Sequence, residues 1–416
     1  MRTPRLTRGR LRRATTMAGL TTLITGVVAA GPLTPAGAAG PLTPAGARPG
    51  CTPAWTMLPA ASVDTTVVDV DVIAPNDVRF TENLAFAAVR TLRWDGKTLA
   101  ENGPQIPIPP RTSQYFEAGA GSYDSAGNGW AITRMHGMTR PDGASSLARW
   151  AGGRWTLTPS APSSDPSVGA ASVADVASPA PDRAWAVGQL HGVGYQAFIE
   201  RWDGTEWTMA DHPATGYRVS ALSAVRAWSA DDVWAVGYRQ DAGPYQPLVL
   251  HDDGTGWKES PLPDIGPSGR LTTIGGTGPD DVWIGGFSGT EYESAPLLLH
   301  WDGKSWSAQP TPAPGPHGTE IQRLYAAAPG DLWAIAYDST QNHGLRLTHW
   351  DGTSWQDVKP QGSQPPAYGF DFYEVDGSGP GDVWVVGATT FTEPSDGAYP
   401  YLRSRRLIAH LSCGRK

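Results

Sequence analysis

Five acidic residues are the best candidates in this sequence for chemistry, because they recur at two fixed positions of a repeat. Three of them stand ten residues before a repeated marker residue, and two stand eight residues before one. Clustered carboxylates bind hard cations such as calcium, and carboxyl groups also act as acids and bases in polysaccharide cleavage. The simpler alternative is a hydrated acidic surface without a ligand. The five residues are Asp69, Asp71, Asp175, Glu374 and Asp376.

Two short sequence motifs, here called phrases, recur along the chain and show which elements carry these acids. The clearest copies of the first phrase begin at His300 and His349. A second phrase, such as the one that begins at Asp281, stands about twenty residues upstream of the first, and its markers recur at intervals of 49 to 55 residues. A four-stranded repeat of about 40–50 residues is typical of a β-propeller blade. The markers are Arg79, Trp130, Trp185, Trp234, Trp283, Trp333 and Trp384.

Each repeat predicts four short antiparallel strands, named a to d in chain order. In the first phrase, Asp-Gly between apolar stretches predicts a type I′ turn that joins strands c and d. This turn would place Trp301 opposite Lys304 and Leu299 opposite Trp306. The second phrase predicts strand b, and a stretch rich in β-branched residues predicts strand a. Strand a lines the channel of a propeller, so the five acids are expected there, with the tryptophans packed between blades.

The two ends of the repeat region complement each other. Residues Leu407–Leu411 predict a strand c that no strand d follows, whereas Ala54–Pro59 predict a strand d that no strand c precedes. The predicted fold is therefore all-β, a seven-bladed β-propeller of four-stranded antiparallel blades. Its last blade is composite, with strand d supplied by the N-terminus.

The two cysteines fall where the last turn between strands c and d is interrupted. Extending the repeat register places Leu411 opposite Pro53 and Cys413 opposite Cys51. Cross-strand Cβ atoms lie about 4.5–5.5 Å apart, and slight closure reaches disulfide geometry. An exported chain meets the oxidising conditions that such a bond needs. The sequence therefore predicts a Cys51–Cys413 disulfide that closes the last blade.

The N-terminal residues predict an export signal. Residues 1–16 carry six arginines and no acid, and Met17–Ala30 is a short run of mainly small and apolar side chains. Ala36-Gly37-Ala38 is a candidate cleavage motif, so residues 1–38 are predicted to be a signal peptide, with cleavage between residues 30 and 47. Residues 39–50 are a Pro/Gly/Ala linker, and residues 51–416 are expected to form one propeller. The expected location is secreted or extracellular.

The charge of the chain argues against nucleic acid as a partner. The formal charge is −8, and removal of residues 1–47, which hold six arginines and no acid, makes it −14. Phosphate binding needs a basic stripe, which the sequence lacks. No further apolar stretch is long enough to cross a membrane. The mature chain is expected to be a monomer.

At these phrases the chain resembles known propeller proteins over about residues 51–413. Ile284-Gly285-Gly286 and the tryptophan later in the blade are similar to Kelch and galactose-oxidase-type propellers. The chain resembles still more the secreted bacterial propellers with repeated Val-Trp-Ala-Val-Gly and Trp-Asp-Gly-x-x-Trp phrases. The resemblance implies the fold. It implies no single activity, because propellers include binding proteins, lyases, hydrolases and oxidases.

No catalytic motif accompanies the repeat. The phrase from Asp302 to Trp306 is one residue shorter than the Asp-box of sialidase-type propellers. A histidine recurs in one slot of strand c, where packing or hydrogen bonding is its expected role. An aspartate recurs in the turn between strands a and b, which it is expected to cap. These residues are His251, His300, His349 and His410, and Asp232, Asp281, Asp331 and Asp382.

The connections after strands b and d are long and variable, and alternating strand directions place both classes on one face, named here the long-connection face. Aromatic side chains on this face suit sugar stacking or protein binding, and they equally suit packing of the loops. The binding candidates are Tyr195, Tyr245, Tyr292, Tyr368, Phe391 and Tyr399.

The expected function is non-catalytic recognition of a glycan or protein through the long-connection face. One alternative is a polysaccharide hydrolase or lyase that uses the channel carboxylates, and another is a structural extracellular scaffold. The sequence leaves enzymatic activity open and favours its absence. Calcium is the one cofactor that the five acids suggest.

Overall fold

The chain is all-β over the residues that the computed structural model describes. These are residues 53–59, 64–84, 88–107, 115–136, 145–161, 170–192, 194–290, 293–313, 319–338, 345–360, 369–393 and 401–413. They belong to one compact unit, Pro41–Lys416, and form 28 strands. No helix long and apolar enough to cross a membrane occurs in these ranges. The predicted signal peptide and linker lie outside the described residues.

The strands follow the repeats in chain order. The N-terminal strand is β1 (Ala54–Met57). The first two repeats form separate four-stranded antiparallel sheets, β2 (Thr65–Ala74), β3 (Asp77–Leu84), β4 (Ala88–Trp94) and β5 (Leu99–Glu101), then β6 (Tyr115–Tyr123), β7 (Gly129–His136), β8 (Ser145–Ala151) and β9 (Arg154–Thr158). The next two repeats supply β10 (Ala170–Ala180), β11 (Arg183–Gly192), β12 (Gly194–Trp202) and β13 (Trp207–Met209), then β14 (Val219–Ser229), β15 (Asp232–Gln240), β16 (Gln246–Asp252) and β17 (Trp257–Glu259).

The last three repeats follow the same plan. The fifth and sixth form four-stranded sheets, β18 (Gly269–Gly278), β19 (Asp281–Thr290), β20 (Glu293–Trp301) and β21 (Trp306–Ala308), then β22 (Thr319–Ala328), β23 (Asp331–Asp338), β24 (Leu345–Trp350) and β25 (Trp355–Val358). The seventh supplies three strands, β26 (Gly369–Gly379), β27 (Asp382–Glu393) and β28 (Tyr401–Ser412).

The third and fourth repeats are joined into one eight-stranded sheet. Within each repeat the four strands are antiparallel, as in the other sheets. A single parallel pair, Tyr195 on β12 with Val219 on β14, links the two halves. The described chain therefore contains seven groups of four strands that are arranged like propeller blades.

The first strands of successive groups contact one another in order. Strand β2 contacts β6, the contacts continue through β10, β14, β18 and β22 to β26, and β26 contacts β2. Tryptophans pack between neighbouring groups. The ring of Trp234 on β15 lies 5.6 Å from that of Trp301 and 5.5 Å from that of Trp306, both in the next sheet. The predicted packing role of these tryptophans is confirmed.

The predicted type I′ turn between strands c and d is wrong. Trp301 pairs with Trp306, and Leu299 pairs with Ala308, so the register differs from the prediction by two residues. Asp302 Oδ1 accepts the backbone N–H groups of Lys304 and Ser305 at 2.9 and 2.8 Å. A four-residue turn results, in which only the glycine, Gly303, has a positive φ, of 84°. A type I′ turn would also need a positive φ at Asp302.

The composite arrangement of the last sheet is confirmed, because β1 pairs with β28. The register again differs by two residues, since Leu411 pairs with Trp55 and not with Pro53. Continued by one residue, this register places Pro53 opposite Cys413. Cys51 lies outside the described residues, so the Cys51–Cys413 disulfide stays a prediction.

Candidate functional site

The first strands enclose a central cavity of about 390 Å³ to which all seven groups contribute. The cavity brings together all five acids that the sequence analysis selected. It also contains two arginines that the sequence analysis missed, Arg226 on β14 and Arg323 on β22. Arg226 stands eight residues before Trp234, and Arg323 stands ten residues before Trp333. They therefore occupy the same two repeat positions as the acids, and an alignment of these positions for both signs of charge would have found them.

Three of the cavity carboxylates connect neighbouring groups of strands. In each, a side-chain oxygen accepts a backbone N–H from the first strand of the next group. Since these N–H groups lie on the inner edge of a sheet, a carboxylate is a suitable acceptor for them. The bonds run from Tyr123 N to Asp71 Oδ2 at 2.5 Å, from Val72 N to Asp376 Oδ2 at 2.7 Å and from Val225 N to Asp175 Oδ2 at 2.9 Å.

The two arginines have different surroundings in the cavity. Arg323 Nε donates to Glu374 Oε2 at 2.7 Å, which makes an ion pair across neighbouring groups. Arg226 forms no ion pair with a described residue, and its guanidinium carbon lies 5.0 Å from the centre of the Trp228 ring. Its charge nevertheless opposes the rise in the pKa of Asp71 and of Asp376.

Burial raises the pKa of each of the five selected acids, because the charged form loses its hydration. For Asp69, the charges of Glu374 and Asp71 add to this effect. The pKa of Glu374 rises to about 7, mainly through burial, although Arg323 opposes the rise. Asp71 and Asp376 also have raised pKa values, first through burial, and the charge of Asp376 raises that of Asp71 further. The cavity thus holds carboxyl groups that bind protons near neutral pH.

These raised pKa values predict that the protein loses stability as the pH rises from about 4.5 to about 7. In this window, folded Glu374, with its pKa near 7, keeps a proton that the unfolded chain, with the ordinary pKa of 4.5, has released. Glu374 alone would lower the free energy of unfolding by about 3 kcal/mol across the window. Urea denaturation at several pH values would measure the slope, and Glu374→Gln should flatten it. A slope that is identical in the wild-type and Glu374→Gln proteins would contradict the assignment.

Calcium binding at the five acids stays a prediction. Among the described residues, no three His, Cys, Asp or Glu side chains are arranged closely enough to hold a metal ion. Oxygens of Asp71, Asp175 and Asp376 are already engaged by backbone N–H groups.

A second recurring arrangement lies at the turns between the first and second strands of the last four groups. In each, a histidine ring stacks on the marker tryptophan with ring centres 3.7–4.2 Å apart. The histidine Nε2 lies 2.6–3.1 Å from a carboxylate oxygen of the recurring aspartate. The predicted packing and hydrogen-bonding role of the histidines is confirmed. The aspartates, predicted to cap turns, also hold the histidines. The trios are Trp234, His251 and Asp232; Trp283, His300 and Asp281; Trp333, His349 and Asp331; and Trp384, His410 and Asp382.

On the long-connection face, Tyr195 is the most exposed large apolar side chain of the described residues, at 51%. It lies near the start of β12, and its ring stands edge-on to that of His191, with centres 5.5 Å apart. The parallel pair with Val219 fixes its backbone. The Gln196 side chain donates to the backbone oxygen of Tyr217 at 2.7 Å and so ties the same two segments together. Tyr195 is therefore an exposed ring on a rigid support.

The other two described candidates are covered by arginines. The guanidinium of Arg270 lies 3.9 Å from the centre of the Tyr245 ring and 4.6 Å from that of Tyr238. The guanidinium of Arg405 lies 4.2 Å from the centre of the Phe391 ring. A ligand that stacked on either covered face would have to displace an arginine.

The predicted position of the candidates in loops needs correction. Tyr195 lies on β12 and Phe391 on β27, because the second and third strands of these groups extend further than the sequence indicates. Tyr195 pairs with Val219, and Gly269 N donates to Tyr245 O at 2.9 Å, so both classes of connection lie on one face there, as predicted. Three candidates, Tyr292, Tyr368 and Tyr399, lie outside the described residues.

Comparisons with known proteins give similarities of structure alone. No protein-family model and no curated protein matches the chain. A structure of YCF48 bound to D1 peptide is 14% identical and covers 86% of this chain and 96% of its own, with a TM-score of 0.49. The SapL1 lectin in complex with alpha methyl fucoside is 16% identical and covers 73% of this chain and 96% of its own, with a TM-score of 0.44. The GH74 xyloglucanase from Xanthomonas campestris is 11% identical and covers 84% of this chain and 55% of its own, with a TM-score of 0.46. At TM-scores below 0.5 we draw no function from these similarities.

Proposed function

We propose that the mature chain is a secreted, seven-bladed propeller that binds glycans without catalysis, through a platform on its long-connection face. The platform consists of Tyr195, His191, Gln196 and Tyr217. Seven groups of four strands, with first strands in closed succession, support seven blades. The pairing of β1 with β28 supports a composite last blade. The Cys51–Cys413 disulfide belongs to the same proposal.

The exposed ring of Tyr195 carries the proposal. A tyrosine ring stacks on the apolar face of a sugar, while neighbouring polar groups bind its hydroxyls. His191, whose Nε2 lies 2.9 Å from Ser172 Oγ, and Gln196, whose amide is bonded to Tyr217 O, supply such groups in fixed positions. Because strand pairing already orders the backbone of Tyr195, binding costs little conformational entropy.

Replacing Tyr195 with alanine is expected to weaken glycan binding at least about tenfold, as is usual for a central aromatic contact. Tyr195→Phe keeps the ring and should retain most of the affinity. Tyr337→Ala is a matched control, because Tyr337 is 42% exposed and belongs to another sheet. A glycan array with the mature chain, followed by titration calorimetry, would measure the three affinities.

Two results would count against the proposal. One is an array without any bound glycan, in which case a pull-down tests a protein ligand instead. The other is equal affinity of the wild-type and Tyr195→Ala proteins, which would place the binding site elsewhere.

A second candidate function is polysaccharide cleavage by the cavity acids, and their raised pKa values favour it. A carboxyl group with a pKa near neutrality can donate or accept a proton at the pH where an enzyme works. Against it, oxygens of Asp71, Asp175 and Asp376 already bind backbone N–H groups. Turnover of a polysaccharide that Asp71→Asn or Asp376→Asn abolishes, in a protein of unchanged fold, would establish it.

A further inference from the structure

The backbone of Arg218 runs beside the proposed platform, and its guanidinium lies against Gln240 and Asp241, on the side of β14 away from Tyr195. Arg218 precedes Val219, the residue that pairs with Tyr195. A Cβ atom built on Gly194 would lie 3.9 Å from the backbone oxygen of Arg218. The chain therefore runs past Tyr195 at Arg218, and Arg218 is exposed there.

Arg218 is held by neutral partners. Its Nε donates to the backbone oxygen of Asp241 at 2.8 Å, and its Nη2 donates to Gln240 Oε1 at 2.5 Å. It forms no ion pair with any residue that the structure describes. Two hydrogen bonds thus orient the guanidinium, and no carboxylate neutralises it. Asp241 is also exposed, and it contributes only its backbone oxygen to the contact.

The arginines further along the same face are arranged differently. Arg270 stacks on the rings of Tyr238 and Tyr245. Arg239 is neutralised, since its Nη1 lies 2.5 Å from Glu259 Oε2 and also donates to the Tyr217 hydroxyl at 2.7 Å. Of Arg218 and Arg239, only Arg218 lacks an ion pair with a described residue, and it precedes the residue that pairs with Tyr195.

We infer that the glycan bound at this platform is anionic, and that Arg218 binds a carboxylate or sulfate group of the glycan while Tyr195 stacks on another of its sugar rings. The inference depends on the proposed glycan binding. A guanidinium presents a planar set of N–H donors that matches a carboxylate or a sulfate in a bidentate bond. The mature chain has a formal charge of −14, so an oriented arginine without an ion pair is a local site of positive charge on an acidic protein.

Polygalacturonate and its fully methyl-esterified form test the inference on the mature chain, because esterification removes the charge of each carboxyl group and adds only a methyl group. Polygalacturonate should bind at least about tenfold more tightly than the ester, since hydrogen bonds to charged groups are the stronger ones. Arg218→Gln should lose this preference and leave binding of the ester unchanged. Its matched control is Arg183→Gln, which removes the same charge at a turn between first and second strands. Arg183 Nη1 lies 3.6 Å from Asp182 Oδ2 there. Dextran sulfate against dextran repeats the comparison for sulfate.

The outcomes separate this inference from the proposed function. If binding depended on Tyr195 but the affinities for charged and neutral glycans were equal, the inference would be overturned and the proposed function would remain intact. A preference for either charged polymer that Arg218→Gln removes, and that added salt weakens, would support it. If Arg218→Gln and Arg183→Gln lowered the affinity equally, long-range charge would explain the preference and the contact would be refuted. Failure of all these polymers and of a glycan array to bind would refute both.

Discussion

Asp331→Ala is expected to lower the free energy of unfolding by about 3 kcal/mol, the upper end of the usual cost of leaving a buried hydrogen-bonding group without its partner. The side chains of Asp331 and His349 are 0% and 1% exposed, and their Oδ1 and Nε2 atoms lie 2.8 Å apart. The histidine ring also stacks on Trp333 at 4.2 Å between centres. Without the carboxylate, the buried Nε2 atom of His349 would have no hydrogen-bond partner. Because the site is buried, water would not readily replace the carboxylate.

The repeat supplies a matched control for this substitution. Asp232 and His251 form the same contact at 3.1 Å, but their side chains are 25% and 27% exposed. Water can replace the lost carboxylate there, so Asp232→Ala should cost about 1–2 kcal/mol. Urea denaturation of the three proteins, followed by circular dichroism, would measure the difference. Equal losses for the two variants would mean that burial does not set the contribution of these trios.

Removing residues 51–59 is expected to destabilise the protein by more than about 5 kcal/mol, because it deletes β1 from the last sheet. Trp55 is partly buried, so its loss contributes part of the about 3–5 kcal/mol that a fully buried tryptophan costs. Trp55 pairs with Leu411 and packs edge-on against Trp333, with ring centres 5.8 Å apart. The deletion would also leave β28 with an unpaired edge.

Two controls separate strand pairing from the predicted disulfide. Removal of residues 39–50, which precede β1, should leave the melting temperature unchanged. Cys51→Ser would remove only the bond. If Cys51→Ser matched the effect of deleting residues 51–59, the disulfide and not the strand would hold the last sheet. If both deletions had equal effects, β1 would contribute nothing to stability.

The strand order could be predicted from the sequence, because tryptophans and Asp-Gly pairs recur at nearly constant spacing. The register of the hairpins could not, since it depends on which backbone angles Asp302 adopts. The sequence shows that aspartate tolerates a positive φ, but it does not show that the Asp302 carboxylate instead binds the N–H groups of Lys304 and Ser305. The predicted register between β1 and β28 is wrong by two residues for the same reason, because it was extended from the register of the repeat.

The candidate site was predictable only in part. The five acids do meet in one cavity, because their repeat position places them on the first strands. The arginines at the same positions were missed because only acids were aligned. Arg218 gave no signal at all, since it stands in a connection outside the repeated phrases, and only the pairing of Tyr195 with Val219 brings it to the platform.

The bridges between neighbouring first strands have a consequence for the way the repeats can change. Asp71, Asp376 and Asp175 bind the backbone N–H groups of Tyr123, Val72 and Val225, and none of them binds a side chain in these contacts. Every residue except proline supplies such a group. One repeat can therefore diverge in sequence, or be exchanged for another copy, without a compensating substitution in its neighbour. At the three positions that donate the N–H group, proline alone is forbidden by the bridge itself.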